Sequence, residues 1–325
     1  MTGLVANLLL LLGGFGALYF GAEWLVRGAA RMASTMGISP MVVGLTLVSL
    51  GTSAPELVVC AFAAWEGQGS LLIGNVLGSN LANIGLILGA TALVQPLDVA
   101  ERVIAREVPI MIVLTIVVYP LVLDLQLTRG EGGILLFLLG VYIAFTFTTA
   151  EDEVKEILEE VGGITHEIPQ EEQGRVSLRD VGLVLVGAMA LGIGGRAIVN
   201  GASYLAAAFG ASELVIGLTV VALGTSLPEL VTSIVAALRR HADIAVGNIV
   251  GSNIFNLTLV LGGSASLREF TIVESALVHE LPAVLALSVL VWPIVTTARK
   301  VRRWEGLVLV LTYFGLAIWI TMAAI

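Results

Sequence analysis

Charge is scarce in this chain. Only 13% of its 325 residues are Asp, Glu, Lys or Arg, about half the share of a soluble domain. Hydrophobic residues make up 57%, and the mean hydropathy is +0.99. That balance excludes a water-soluble globular fold. Cysteine is almost absent. The single Cys60 excludes an intrachain disulfide and any cysteine-based zinc site, and it reads as a small residue packed between helices. The three histidines, His166, His241 and His279, fall in a polar stretch or near the ends of apolar runs. None is placed to ligate an ion deep in a membrane. Basic residues interleaved with aromatics are also missing, so nucleic acid is not a partner. Nothing in the sequence calls for a cofactor or an obligate protein partner; the partner it does call for is the lipid bilayer.

Apolar runs long enough to span that bilayer recur throughout. The first begins at Gly3 with no basic residue before it and reads as a span, not a cleaved leader. Spans are expected at 3–25, 41–64, 70–94, 103–123 and 131–150, then at 179–207, 214–238, 243–265, 274–297 and 305–324. The expected fold is an all-α membrane protein of ten transmembrane helices. Between the two sets lies the one long polar stretch, Glu151 to Ser177, with EDEVKEILEE at its start. It reads as a short acidic amphipathic helix and a solvated connection.

A shift of 173 residues superimposes the two sets. Gly44–Gly89 aligns with Gly217–Gly262 without a gap, and 23 of 46 positions are identical. Glu107-Val108-Pro109 falls on Glu280-Leu281-Pro282, and Glu131-Gly132 meets Glu305-Gly306 after one inserted residue. The chain is an internal duplication: residues 1–150 form a first five-helix repeat, 151–177 a linker and 178–325 a second repeat. Five spans per repeat invert the second relative to the first. With the N-terminus outside, thirteen Lys and Arg face inward and three, Arg129, Arg196 and Arg268, face outward. The positive-inside rule therefore puts both termini outside a cell membrane and the linker in the cytoplasm. Inverted repeats are a transporter architecture, with the substrate at the midplane.

Two motifs interrupt the apolar runs, each present twice. GTSAPE (51–56) returns as GTSLPE (224–229). An ionisable residue in mid-bilayer is a candidate for function, and the duplication lets Glu56 and Glu229 converge on one point. Like charges held close need a cation between them or a proton on one. Hard oxygen donors favour Ca²⁺. Pro55 and Pro228 lack the N–H that would bind a carbonyl one turn back, which frees carbonyls near Gly51 and Thr52, and near Gly224 and Thr225. Ser53 and Ser226, three residues before the glutamates, share their helix face. The second motif, GNVLGSNLAN (74–83), returns as GNIVGSNIFN (247–256). It sets Ser79 and Asn83 on one face, and likewise Ser252 and Asn256, beside small-residue seams for close helix packing.

These paired motifs resemble the two alpha repeats of the cation/calcium exchanger superfamily, in particular its prokaryotic sodium/calcium exchangers, over all ten spans. The resemblance implies a Na⁺-for-Ca²⁺ antiporter working by alternating access, with four ion sites between the second, third, seventh and eighth spans. It implies that Glu56 and Glu229, with the carbonyls of Thr52 and Thr225, hold Ca²⁺. One flanking sodium site would use Ser53, Ser79, Thr52 and the carbonyl of Ser49. The other would use Ser226, Ser252, Thr225 and the carbonyl of Ala222, and Asn83 and Asn256 would complete the centre. The Gly- and Ala-rich first and sixth spans would slide across a fixed core. Ca²⁺/H⁺ exchange at the same glutamates is the alternative. An intramembrane hydrolase built on Ser53 or Ser226 lacks a base, so the chain does not read as an enzyme; a channel would not require a closed midplane site. Outside the motifs, Glu107 and Glu280 are expected to cap helices at headgroup level or to line an access path. Glu23 and Arg196 are expected to snorkel from span ends.

Overall fold

The computed structural model describes residues 2–161, 176–209 and 222–323. Almost all of them are helical. In chain order the helices are α1 (Thr2–Met36), α2 (Pro40–Thr52), α3 (Ala54–Glu66), α4 (Gly69–Val94), α5 (Val103–Leu121) and α6 (Arg129–Val161). There follow α7 (Leu178–Ala208), α8 (Ala222–Thr225), α9 (Leu227–Leu238), α10 (Ala242–Leu267), α11 (Ala276–Arg299) and α12 (Arg303–Ala323). Among the described residues eight helices are long and apolar enough to cross a membrane, or nine if α2 and α3, bent by 47°, form one span. The chain is a multi-pass, all-helical membrane protein. The 12-residue α9 is the end of the expected span 214–238, whose first part lies outside the described residues.

The helices sort by what surrounds them. The most apolar stretch of α10 is 94% buried and that of α4 72%, against 11% for α12 and 17% for α1. So α4 and α10, the two helices that carry the Ser/Asn motifs, form the centre. The outer helices turn Leu9, Phe137, Ile193 and Leu311 outward, each more than 60% exposed. In water that surface would be a liability; in lipid it is the solvent contact.

Helix α1 packs against α7 through a glycine seam. A Cβ on Gly14 would lie 2.9 Å from the Gly194 carbonyl oxygen, on Gly21 2.9 Å from that of Gly187, and on Gly28 2.8 Å from that of Asp180. From the other side, Gly187, Gly194 and Gly201 meet the carbonyls of Gly21, Gly14 and Asn7. The order of partners makes the pair antiparallel. The seven-residue spacing keeps the glycines on one line, as in a coiled-coil seam. With no side chain between them the backbones approach to van der Waals contact, and in lipid that dispersion is the main attraction available.

The offset of 173 recurs throughout. Gly14, Gly21 and Gly28 correspond to Gly187, Gly194 and Gly201. Wide π-type turns at Ala82–Ile87 and Val103–Glu107 correspond to Asn256–Val260 and Ala276–Glu280. Two short antiparallel clasps tie distant parts of the chain: β1 (Leu97–Asp98) pairs with β4 (Lys300–Val301), and β2 (Gln126–Leu127) with β3 (Phe270–Thr271).

Several boundaries differ from expectation. Helix α1 runs eleven residues past the expected end at 25, so Arg27 and Arg31 lie on helix. Glu23 is therefore inside a helix and buried, and it does not snorkel; Arg196 also lies well within α7, though exposed. The acidic EDEVKEILEE stretch is no separate helix. It continues α6 without a break to Val161, because Glu, Lys and Leu are good helix formers with no capping residue or proline to stop them. Residues 162–175, including His166, lie outside the described residues.

The seam gives a direct test. Gly21→Val and Gly187→Val place side chains against backbone, an overpacking of about 1–3 kcal/mol. Both variants should lower the melting temperature in detergent. Gly16→Val, with nothing within 4 Å of its new Cβ, should leave it unchanged.

Candidate functional site

The site begins where the helices break. At Ser53 the backbone leaves helical geometry (φ −83°, ψ 2°), and Ser226 does the same (φ −91°, ψ 5°). Each break is followed by a proline in the first turn of a new helix and then by a glutamate: Pro55 and Glu56 open α3, Pro228 and Glu229 open α9. Pro fits a first turn because that N–H has no helical partner anyway. The same turn presents the positive end of the helix dipole to the carboxylate. Around the first break the Ser53 N–H reaches the Ser49 carbonyl at 2.9 Å and the Leu57 N–H the Ser53 carbonyl at 3.1 Å. Pro55 has no N–H for the Gly51 carbonyl.

Glu56 is 1% exposed and Glu229 0%. Neither has an ion pair among the described residues. Both carboxylate oxygens of Glu56 lack a hydrogen-bond partner, as does Oε2 of Glu229. Oε1 of Glu229 accepts from Ser53 Oγ at 3.2 Å. Asn83 and Asn256, each 1% exposed, have no partner for either amide atom. The wide turn that starts at Asn256 packs against α3, and the one that carries Asn83 packs against α9. An extra residue in a helical turn re-aims side chains and is common at functional sites. Seven buried polar atoms on four side chains are thus without partners, at about 1–3 kcal/mol each. Proteins keep such groups where something else binds them.

The hydroxyls of Thr52, Ser53, Ser79, Thr225, Ser226 and Ser252 and the amides of Asn75 and Asn248 are engaged, mostly across the two halves of the chain. Thr52 Oγ1 donates to Asn248 Oδ1 at 3.0 Å and lies 3.4 Å from Ser252 Oγ. Thr225 Oγ1 donates to Asn75 Oδ1 at 3.4 Å, and Ser226 Oγ to Ser79 Oγ at 3.3 Å. The structure therefore groups Thr52 with Ser252, and Ser226 with Ser79. The contacts cross because each broken helix faces the Ser/Asn helix of the other half, α2 against α10 and α8 against α4. The Ser49 carbonyl accepts from Thr52 Oγ1 at 3.3 Å as well as from the Ser53 N–H, and Ser49 Oγ donates to the Gly44 carbonyl at 2.8 Å. Ala222 opens α8.

Two residues that sequence reasoning passed over hold this arrangement. Asn248 accepts from Thr52 and donates to Ser233 Oγ at 3.0 Å and to the Glu229 carbonyl at 3.5 Å. Asn75 accepts from Thr225 and donates to Cys60 Sγ at 3.3 Å. The offset equates Asn75 with Asn248 and Cys60 with Ser233. The signal was in view: each asparagine follows the first glycine of the repeated motif. Cys60 is fully buried, and it does more than fill space, since its sulfur accepts an amide N–H.

The other flagged charges lie elsewhere. Glu107 makes no side-chain cap to the α-helical turns it precedes. It is fully buried, and its Oε1 accepts from Arg102 Nε at 3.3 Å and Arg106 Nη2 at 3.2 Å. His279 stacks edge-on against Trp319, and His241 precedes the first turn of α10. Among the described residues no cluster of three or more His, Cys, Asp or Glu could hold a metal ion. A cation here must be met by two carboxylates plus hydroxyl, amide and carbonyl oxygens, a donor set suited to hard ions.

Asn248→Ala removes the amide that the Ser233 hydroxyl accepts from and one of the partners of the Thr52 hydroxyl. A loss of about 1–3 kcal/mol should appear as a lower melting temperature, whereas Cys60→Ser, which copies the second half, should be tolerated.

Comparison with known proteins bears on this geometry. The profile of the family described as sodium/calcium exchanger protein matches residues 6–148 and 180–322. A putative antiporter, CaxA, of Alkalimonas amylolytica is 38% identical over 320 residues, 96% of this chain and 97% of that one. The sodium/calcium exchanger MaX1 of Methanosarcina acetivorans is 30% identical, over 95% and 97% of the two chains. A solved structure of the sodium-calcium exchanger NCX_Mj, soaked with Na⁺ and Sr²⁺, superposes with a TM-score of 0.81 at 28% identity, covering 96% and 97% of the two chains.

Proposed function

Because this chain belongs to the sodium/calcium exchanger family, we propose that it is a secondary antiporter that moves Na⁺ one way and Ca²⁺ the other through a single midplane site. One observation carries the reading: the partnerless oxygens of Glu56 and Glu229, buried with the partnerless amides of Asn83 and Asn256. In this reading Ca²⁺ lies between the glutamates and takes the carbonyls of Thr52 and Thr225. Na⁺ occupies flanking positions at Ser53, Ser79 and the Ser49 carbonyl, and at Ser226, Ser252 and the Ala222 carbonyl. Asn83 and Asn256 complete the centre. Two negative charges match one Ca²⁺. A set of Na⁺ competes for the same charge, which couples the two flows. Ten spans in two inverted halves, termini outside and linker cytoplasmic, complete the proposal; the thirteen-to-three charge bias supports the orientation. The α1–α7 pair is the moving part of an alternating-access cycle.

Glu56→Gln and Glu229→Gln keep shape and remove one charge each. Both should abolish Na⁺-driven Ca²⁺ flux in proteoliposomes while elution on size exclusion stays native. Flux at a near-native rate in either variant would sink the assignment.

A carboxylate without a partner can also take a proton, so Ca²⁺/H⁺ exchange is the second reading. Replacing Na⁺ by choline separates them. Ca²⁺ uptake should collapse for a sodium exchanger; uptake that persists and follows an imposed pH gradient would establish the proton-coupled reading.

A further inference from the structure

Glu23 lies inside α1 with its side chain 9% exposed. Arg239, at the C-terminal end of α9, grips it as a fork, Nε to Oε2 at 2.9 Å and Nη2 to Oε1 at 2.7 Å. Arg27, one turn along α1, adds a contact of 2.6 Å. The fork joins the glycine-seam pair to α9, the helix that carries Glu229.

The duplication repeats this pair with its charges exchanged. The offset of 173 takes Glu23 to Arg196 in α7, and takes Arg239 back to Glu66 at the end of α3, the helix that carries Glu56. Charge is scarce in this chain, at 13% of residues, yet both matched positions hold opposite charges in the two halves. The second pair is open. Arg196 and Glu66 are both exposed. Among the described residues Glu66 accepts from Gln68 alone, at 2.9 Å, and Arg196 has no ion pair. Helix packing follows the same asymmetry: α1 lies along α9, while α7 barely touches α3.

The two pairs sit at opposite ends of the bundle. Beside Glu66, the Trp65 carbonyl accepts from Arg268, which leads into β3. Beyond Arg239, the start of α10 packs against β1. The clasps containing β1 and β2 are separated by the length of α5. One end is therefore latched while the other is not.

We propose that Glu23–Arg239 and Arg196–Glu66 are alternate latches of the transport cycle, closed one at a time, each sealing one end of the site by holding the seam pair against α9 or α3. The proposal rests on the alternating-access reading above. Its logic is that of a two-state element biased from both ends. A fork between the buried Glu23 and the half-exposed Arg239 holds one state, and its mirror forms only when the first has opened.

The test uses the full-length chain in nanodiscs, with Cys60→Ser and a protease site inserted within residues 162–175. Glu23→Cys with Arg239→Cys makes one reporter; Arg196→Cys with Glu66→Cys makes the other. After a bifunctional thiol reagent and protease, a cross-link keeps the two fragments together on a denaturing gel. Both reporters should cross-link, and ion conditions that raise one yield should lower the other. A second measurement needs no cysteines. Arg196→Glu and Glu66→Arg should each slow exchange about tenfold, and the double swap should restore it. Absence of the Arg196/Glu66 cross-link in Na⁺, in Ca²⁺ and without either, or failure of the swap to rescue, overturns the proposal. Alternating cross-links in a chain that shows no Na⁺-driven Ca²⁺ flux would instead overturn the functional reading and leave the latches standing.

Discussion

Two carboxylates, buried together and without a cationic side chain beside them, constrain everything around them. Among the described residues other acids out of water meet ordinary partners. Glu107 has Arg102 and Arg106, and Glu23 has Arg27 and Arg239. Glu131 and Glu305 accept the backbone N–H of Thr128 and Arg302 at 2.7 Å. Glu56 and Glu229 have helix N-termini, one serine hydroxyl and two unengaged amides. Helices interrupted mid-span supply those N-termini, and prolines keep the interruptions open. The cost of such breaks in a bilayer is tolerable because α4 and α10 surround them with protein. The glycine contacts let the surrounding helices come close enough to do so.

Much of this was legible in the sequence, because the duplication shows which polar residues matter. Glu56 and Glu229, the prolines, the serines and the asparagines stand at matched places in apolar surroundings. The eight or nine spans among the described residues followed from hydropathy. Span ends did not: hydropathy locates a membrane core, while α1 and α6 continue as helix beyond it, since nothing in their sequence stops a helix there. The hydrogen bonds between the two halves were not legible either. Residue spacing fixes which side chains share a helix face but not which helix that face meets, and here the faces meet across halves. Asn75 and Asn248 were missed for a related reason. Their role is to hold other residues in place, and a positioning contact becomes visible only when both partners are placed.

Because the polar contacts of the site run from one half to the other, neither half is self-sufficient. The Thr52 hydroxyl of the first half is held by Asn248 and the Glu229 of the second is held by Ser53, and the strand that begins each clasp ends it in the opposite half. Such reciprocity is the signature of an isologous interface, in which two copies of one surface complete each other. The molecule is in effect a dimer written on a single chain. Fusion freed the copies to diverge, so that one could carry Cys60 where the other has Ser233, and Glu23 where the other has Arg196. A true homodimer could not hold that charge reversal, because every change in one copy would be made in both. The connection between the halves is therefore what permits one end of the molecule to differ in charge from the other.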